Sequence, residues 1–324
     1  MMTSDIGIGD RFMGCLYGQA IGDALGLGSE GLFRDGVEGY YPKGLTKYEQ
    51  IVPDAHRRRW HQGDWTDDTD MMICIAKAIV AHNGIIDDTT LYDIASNFKA
   101  WMLSPECMGI GALVHNVLSI GDYVDKPQEV AKMFWNLSKQ QNAPNGGLMR
   151  TSVIGLLREN VSVSAEKVCR LTHYDPRCVG TCVIVSEMIH SLVYLNRQMD
   201  INEIKSMAEG YDNRIVSYID LAYNAQSIDD LELDDMKSAG YTLKTFAAGL
   251  WALLHTISFV EGMLAVVNAG GDSDTNAAVA CALLGAKYGV ASIPDYYKTN
   301  LYKAQEYESL VEDLKRVLLA INEE

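Results

Sequence analysis

The chain lacks a long uncharged apolar run, a paired-cysteine motif and any excess of positive charge, and each absence removes a class of protein. Its most apolar stretch, Phe246 to Val260, contains His255 and is too short and interrupted to span a bilayer. Residues 1–6 carry neither a basic n-region nor an apolar h-region, so no signal peptide is expected. The cysteines, seven in all and odd in number, are scattered without a CxxC. Cys178 and Cys182 stand four apart inside a helical pattern and read as buried thiols, so a reduced, cytoplasmic protein is expected. Lys and Arg number 27 against 43 Asp and Glu, a formal charge of −16, which argues against a nucleic-acid partner. No stretch reads as a strand, no linker of separate composition divides the chain, and no repeat of 20–50 residues is present. With 324 residues, 48% of them hydrophobic, there is material for one large core or two smaller ones. The expectation is a single compact all-α domain over residues 1–324.

What the chain does have is two short acidic stretches of matching construction. Trp65-Thr66-Asp67-Asp68-Thr69-Asp70 runs into Met71-Met72-Ile73-Cys74-Ile75-Ala76, and Gly270-Gly271-Asp272-Ser273-Asp274-Thr275-Asn276 runs into an Ala/Val/Leu segment. Asp, Ser and Thr ahead of such runs are helix N-cap signals. A helix that is apolar on every side is buried. Both clusters are therefore expected at the N-termini of core helices, where carboxylates are costly without a cation. One cap per helix would need a single such residue. Like charges about 4 Å apart repel by roughly 4 kcal/mol at an effective dielectric near 20, whereas a helix dipole returns about 0.3–1 kcal/mol. Oxygen donors without His or Cys suit Mg²⁺ or Mn²⁺ rather than Zn²⁺.

Between and around these stretches the periodicity is helical, with segments near 68–82, 89–102, 106–119, 127–140, 201–209 and 213–224. Gly14, Gly18, Gly22 and Gly26 draw a stripe down one helix face, read as tight helix packing, with Asp23 its odd polar neighbour. Gly26 to Gly31 matches GxGxxG by letter, but a helix precedes it and a loop follows, which a dinucleotide fold does not allow. Residues 31–64 read as irregular loop, and Arg57-Arg58-Arg59 within it as a solvated face. Asn145-Gly146-Gly147 is expected to open a helix from Leu148, whose free N–H groups could cradle phosphate. Asp175 and Pro176 are the expected N-cap and first turn of the next helix. Asp229 to Asp235 reads as a solvated acidic surface, and a charged amphipathic helix runs to about Ile321.

Taken together, Gly22-Asp23-Ala24-Leu25-Gly26, Thr66-Asp67-Asp68-Thr69, Asn145 to Arg150, Thr172-His173 and Gly270 to Asn276 resemble the ADP-ribosylglycohydrolase family, including its dinitrogenase reductase-activating branch. They come in the family's order and span nearly the whole chain. The resemblance implies an all-α fold with a dinuclear Mg²⁺ or Mn²⁺ site at helix N-termini, and hydrolysis of ADP-ribose from a modified acceptor. It implies Thr66, Asp67, Asp68, Asp272, Asp274 and Thr275 as metal ligands, with Asp67 and Asp68 also serving catalysis. Glu30 matches a carboxylate that some members carry on a mobile loop over the metals, and here it is flanked by Gly28 and Gly31. Asn145, Gly146 and Gly147 would line the diphosphate, with His173 and Tyr241 near the ADP-ribose. The implied partner is an ADP-ribosylated protein or an ADP-ribose-containing small molecule, with arginine favoured over serine as acceptor.

Two alternatives stand beside this reading. A helical Mg²⁺-dependent prenyl-diphosphate enzyme also places Asp clusters on core helices, but its DDxxD is missing because Met71 occupies the last acid's place. A non-catalytic, crystallin-like member of the family would be expected to erode its ligands, and all six matching positions keep oxygen donors.

Overall fold

The computed structural model describes residues 6–319, whose regular structure is helical. The α-helices in order are α1 (Ile8–Gly26), α2 (Arg34–Tyr40), α3 (Asp67–Ala81), α4 (Asp88–Met102), α5 (Ala112–Leu118), α6 (Pro127–Leu137), α7 (Val161–Cys169) and α8 (Pro176–Tyr194). They continue as α9 (Ile201–Glu209), α10 (Asn213–Asn224), α11 (Thr242–His255), α12 (Phe259–Val267), α13 (Ser273–Tyr288), α14 (Asp295–Thr299) and α15 (Ala304–Leu319). Among the described residues the only β pairing is one isolated bridge between Pro144 and Tyr241.

The centre of the fold is the α1–α13 pair, and the glycine stripe makes it possible. A Cβ at Gly14 would strike the carbonyl of Gly285, one at Gly18 that of Cys281, one at Gly22 that of Ala277, and one at Gly26 that of Ser273. The two backbones thus touch along their length, with rising numbers on α1 meeting falling numbers on α13. The helices are antiparallel. This brings the C-terminal turn of α1, with Asp23 and the Glu30 turn after it, level with the acidic N-terminus of α13. The residues of α13 from Ser273 to Ala286 are all buried, the apolar run from Ala277 and the polar first turn alike.

The start of α3 is fixed against the same place. Thr66 is its N-cap, its hydroxyl accepting from the Asp68 N–H at 3.5 Å. Helix α15 closes the outside, where the Tyr307 hydroxyl donates to the Leu16 carbonyl of α1 at 2.6 Å. Asp175 caps α8 by accepting from the Arg177 N–H at 3.0 Å, with Pro176 in the first turn.

Several local expectations need correction. Residues 145–156 form two successive 3₁₀ turns, Asn145–Arg150 and Ser152–Leu156, rather than an α-helix. Gly146 and Gly147 are pressed against the His173 ring and Cys169, so the segment follows its packing rather than an α-helical course. Residues 31–64 contain α2 and two short 3₁₀ turns. The expected helix 106–119 begins only at Ala112, because 103–111 is turn and loop. The last expected helix residues, 320 and 321, lie outside the described residues.

Candidate active site

The two acid motifs meet at the floor of a cleft of about 610 Å³. Carboxylate oxygens of Asp23, Asp68 and Asp274 lie within 4.8 Å of one another, as do those of Glu30, Asp272 and Asp274. Asp274 belongs to both groups. The Thr275 hydroxyl donates to Asp68 Oδ1 at 3.2 Å, joining the start of α13 to that of α3. Asp68 Oδ2 and Asp274 Oδ1 are buried and have no hydrogen-bond partner. Burial pushes Asp68 and Asp274 well above the usual carboxylate range, and the neighbouring carboxylates push them further. Asp67 is pushed up to about 7, first by burial and then by Glu30, Asp272 and Asp70. The site concentrates buried carboxylates with oxygens left over.

Asp23 is the residue that sequence reasoning left without a role here. Its Oδ1 accepts from the Thr66 N–H at 3.0 Å and hydroxyl at 2.9 Å. Its Oδ2 accepts from the Thr69 N–H at 3.0 Å and hydroxyl at 2.6 Å. One carboxylate from α1 thereby takes up two orphan N–H groups at the N-terminus of α3. Burial nevertheless raises Asp23 to about 7 against those four hydrogen bonds. Its sequence signals were a carboxylate set in the glycine stripe and its place in the Gly22-Asp23-Ala24-Leu25-Gly26 motif.

Glu30 sits at the rim, in the turn after α1. Its turn is anchored by Arg57, which is buried, in contrast to the solvated face expected of the arginine run. Arg57 Nε donates to the carbonyls of Leu27 at 3.0 Å and Gly28 at 2.8 Å, Nη2 donates to the Glu30 carbonyl, and Nη1 pairs with Asp54. On the other side, the Gly31 N–H donates to the Gly271 carbonyl at 2.7 Å and the Gly271 N–H to the Leu32 carbonyl at 2.8 Å. The Glu30 turn is therefore tied both to the 3₁₀ turn at 57–59 and to the second acid motif. The Glu30 carboxylate meets His56 Nε2 at 2.6 Å. Arg58 and Arg59 are exposed as expected, and Arg59 also lines the cleft.

The opposite wall carries Asn145, Gly146 and His173. The Asn145 amide donates to Asp272 Oδ2 at 2.6 Å and to the Thr245 hydroxyl at 2.8 Å, so it holds the second acid motif directly. The Thr172 hydroxyl accepts from Arg150 Nη2 at 2.6 Å and lies 2.7 Å from His173 Nδ1. With two lone pairs and one proton, the hydroxyl can serve Nδ1 in either tautomer; when it donates to Nδ1, the ring proton sits on Nε2. That Nε2 is buried and unpartnered. Burial, with Arg150 adding to it, lowers His173 well below 6.5 and keeps the ring neutral. A Cβ on Gly146 would stand 3.1 Å from this Nε2, so the glycine leaves that ring edge clear. The result is an unpartnered imidazole nitrogen on a residue that lines the cleft.

Glu30, Thr66, Asp67, Asp68, Asn145, Gly146, His173, Asp272, Asp274 and Thr275 all line this one cleft, whereas Gly147 and Tyr241 do not. Gly147 packs behind Gly146 on Cys169 and His173. The Tyr241 hydroxyl accepts from Arg177 at 3.2 Å, and its ring packs edge-on against Tyr218. Its neighbourhood matters through the backbone. The Asn145 N–H donates to the Gly240 carbonyl at 2.9 Å and the Thr242 N–H to the Ala143 carbonyl at 3.0 Å. The donor set of carboxylates and hydroxyls, with two buried oxygens unpartnered, fits hard divalent cations.

An all-helical fold with a carboxylate-floored cleft between helix N-termini defines a class that likeness to known proteins makes specific. The family model for ADP-ribosylglycohydrolase matches residues 4–322. The chain belongs to the ADP-ribosylglycohydrolase family, hydrolases that act on ribosyl bonds. It is 25% identical over 315 residues to the ADP-ribosylarginine hydrolase Tri1 of Serratia proteamaculans, covering 94% of this chain and 79% of that one. It is also 25% identical over 310 residues to the ADP-ribosyl-[dinitrogen reductase] glycohydrolase of Rhodospirillum rubrum, covering 92% of each. A solved structure described as an ADP-ribosylglycohydrolase-related protein complex superposes with a TM-score of 0.71 at 25% identity, covering 96% of this chain and 98% of the other. Membership removes the prenyl-diphosphate alternative. No helix among the described residues is long and apolar enough to cross a membrane.

Proposed function

We propose that this chain, acting as one ADP-ribosylglycohydrolase domain over residues 1–324, removes ADP-ribose from a modified acceptor, with arginine favoured over serine. The observation that carries the reading is the meeting of Asp23, Asp68, Asp272 and Asp274 beneath Glu30, with Asp68 Oδ2 and Asp274 Oδ1 left unpartnered. Thr66, Asp67, Asp68, Asp272, Asp274 and Thr275 would hold two Mg²⁺ or Mn²⁺ ions, with Asp23 orienting the first motif. Bound there, such cations supply Lewis acidity and a template for ribose hydroxyls and water.

The chain's own residues do the rest. In the tautomer with its proton on Nε2, His173 donates to an acceptor oxygen of the ADP-ribose, and the open Gly146 edge gives that oxygen room. Asn145 keeps Asp272 in place. Hydrolysis breaks the bond from the anomeric carbon to the acceptor and forms a new one to a water oxygen, through oxocarbenium-like charge. The Glu30 carboxylate can stabilise that charge, take a proton from the water and return one to the leaving group. A carboxylate beside the reacting ribose also favours a cationic guanidinium as acceptor, and the name of the Serratia relative is that of an ADP-ribosylarginine hydrolase. The setting we infer is the cytoplasm, with no nucleic acid or membrane as partner. Comparing release of free ADP-ribose from arginine- and serine-modified peptides at equal Mg²⁺ tests the acceptor. Faster release from arginine is expected, and a clear serine preference would overturn that part.

A further inference from the structure

The segment from His56 to Trp60, read from sequence as an irregular basic loop, forms a chain of contacts ending on Glu30. Arg59 Nη2 donates to His56 Nδ1 at 2.8 Å. A guanidinium has only donors, so Nδ1 must be the accepting nitrogen and the ring proton sits on Nε2. That proton points at the Glu30 carboxylate, 2.6 Å from Nε2. Arg59 is itself held at three points. Its Nε donates to the His56 carbonyl at 3.1 Å and its Nη1 to the Met108 carbonyl at 3.0 Å. Its guanidinium carbon lies 4.4 Å from the centre of the Trp60 ring, a cation–π stack. Trp60 in turn backs Gly109, where a Cβ would stand 3.4 Å from both the indole and Asp67 Oδ1. Glu30, His56, Arg59, Trp60, Met108 and Gly109 all line the cleft.

We propose that His56 and Arg59 are positioning residues for Glu30. Arg59 sets the His56 tautomer, and His56 aims the Glu30 carboxylate over Asp272 and Asp274. The inference rests on the catalytic reading of Glu30 given above. It adds why that carboxylate keeps one direction although its side chain is partly exposed: Arg57 fixes the main chain of the turn, and the His56 N–H fixes the carboxylate. Because Arg59 also grips the Met108 carbonyl, the bracket spans the cleft rim and couples the Glu30 turn to the 103–111 loop.

The test is a set of full-chain variants assayed for ADP-ribose release from an arginine-modified peptide with saturating Mn²⁺, with Mn²⁺ affinity measured by calorimetry. His56→Ala should lower kcat by about 10- to 100-fold, the scale of a misplaced catalytic group, with KM and Mn²⁺ affinity within about twofold of wild type. His56→Gln keeps an N–H donor of similar reach and should recover most of kcat. The double variant Glu30→Gln/His56→Ala should be no slower than Glu30→Gln alone, because His56 acts only through Glu30. Wild-type kcat in His56→Ala, losses that multiply in the double variant, or a fall in Mn²⁺ affinity parallel to kcat would each overturn the positioning role. Those results leave the hydrolase reading intact. Wild-type kcat in Glu30→Gln would instead overturn the catalytic reading of Glu30, and this inference with it.

Discussion

Asp23 on α1 accepts both the backbone N–H and the hydroxyl of Thr66, at 3.0 Å and 2.9 Å, and so sets where the first acid motif begins. Its second oxygen does the same for Thr69. An asparagine has one acceptor oxygen where Asp23 offers two, so one backbone N–H at the start of α3 loses its partner. Asp23→Asn is expected to cost about 1–3 kcal/mol, the price of a buried unsatisfied donor. Chemical denaturation should read that loss, together with weakened Mn²⁺ binding. An Asp23→Asn protein of unchanged stability and Mn²⁺ affinity would show that Asp23 neither caps α3 nor supports the site.

The α1–α13 contact makes a second prediction. Gly18→Ala places a methyl group against the Cys281 carbonyl, which is main chain and cannot rotate away. The helices must separate, at a cost of about 1–3 kcal/mol or more. The acid motifs at their ends would separate with them. A lowered melting temperature with reduced Mn²⁺ affinity is expected. Gly7→Ala, at a position with open space around it, should leave both unchanged.

A third prediction concerns pH. Burial raises Asp23 and Asp67 from 3.8 to about 7 and Asp64 to about 6. For an acid raised on folding, the stabilisation is fully present below the unfolded value and is lost as pH rises through the folded one. Chelated protein should therefore lose stability as pH rises from about 4 to 7. Saturating Mg²⁺ should lift the melting temperature more at pH 8 than at pH 5, where protons compete for the same oxygens. Asp68→Asn should flatten the slope of the chelated protein. A melting temperature that rises across this window without cations would contradict the account.

The helical fold and the two acid motifs were legible because their signals are local. Asp67 to Asp70 and Asp272 to Asp274 each precede an apolar run, and periodicity within one segment reports a buried helix. The glycine stripe was legible as packing, but nothing in it named α13 as the partner. Arg57 was not legible. Three consecutive arginines look like a surface, and only the fold reveals that the first donates to three carbonyls of the Glu30 turn while the second faces solvent. The same holds for Asp23, whose partners lie more than forty residues away. Helix α12 escaped because its apolar residues follow those of α11 so closely. The break at Thr256 to Ser258 is visible as the Ser258 hydroxyl accepting from the Glu261 N–H at 3.2 Å. Tyr241 was expected beside the ligand; its hydroxyl accepts from Arg177, and its neighbours Gly240 and Thr242 brace the Asn145 turn through their backbone.

The central claim is that the paired acid motifs form a cation-dependent centre for cleaving a ribosyl bond. The most direct measurement is the rate of ADP-ribose release from an arginine-modified peptide by wild type, Asp68→Asn and Asp274→Asn, each after exhaustive chelation and again after Mg²⁺ or Mn²⁺ is restored. Folding is checked alongside by circular dichroism. The account predicts release by wild type only with the cation, and loss of at least about 100-fold in both folded variants, the low end of what a group acting in the transition state contributes. Full wild-type activity after chelation, or near wild-type rates in both variants, would contradict it.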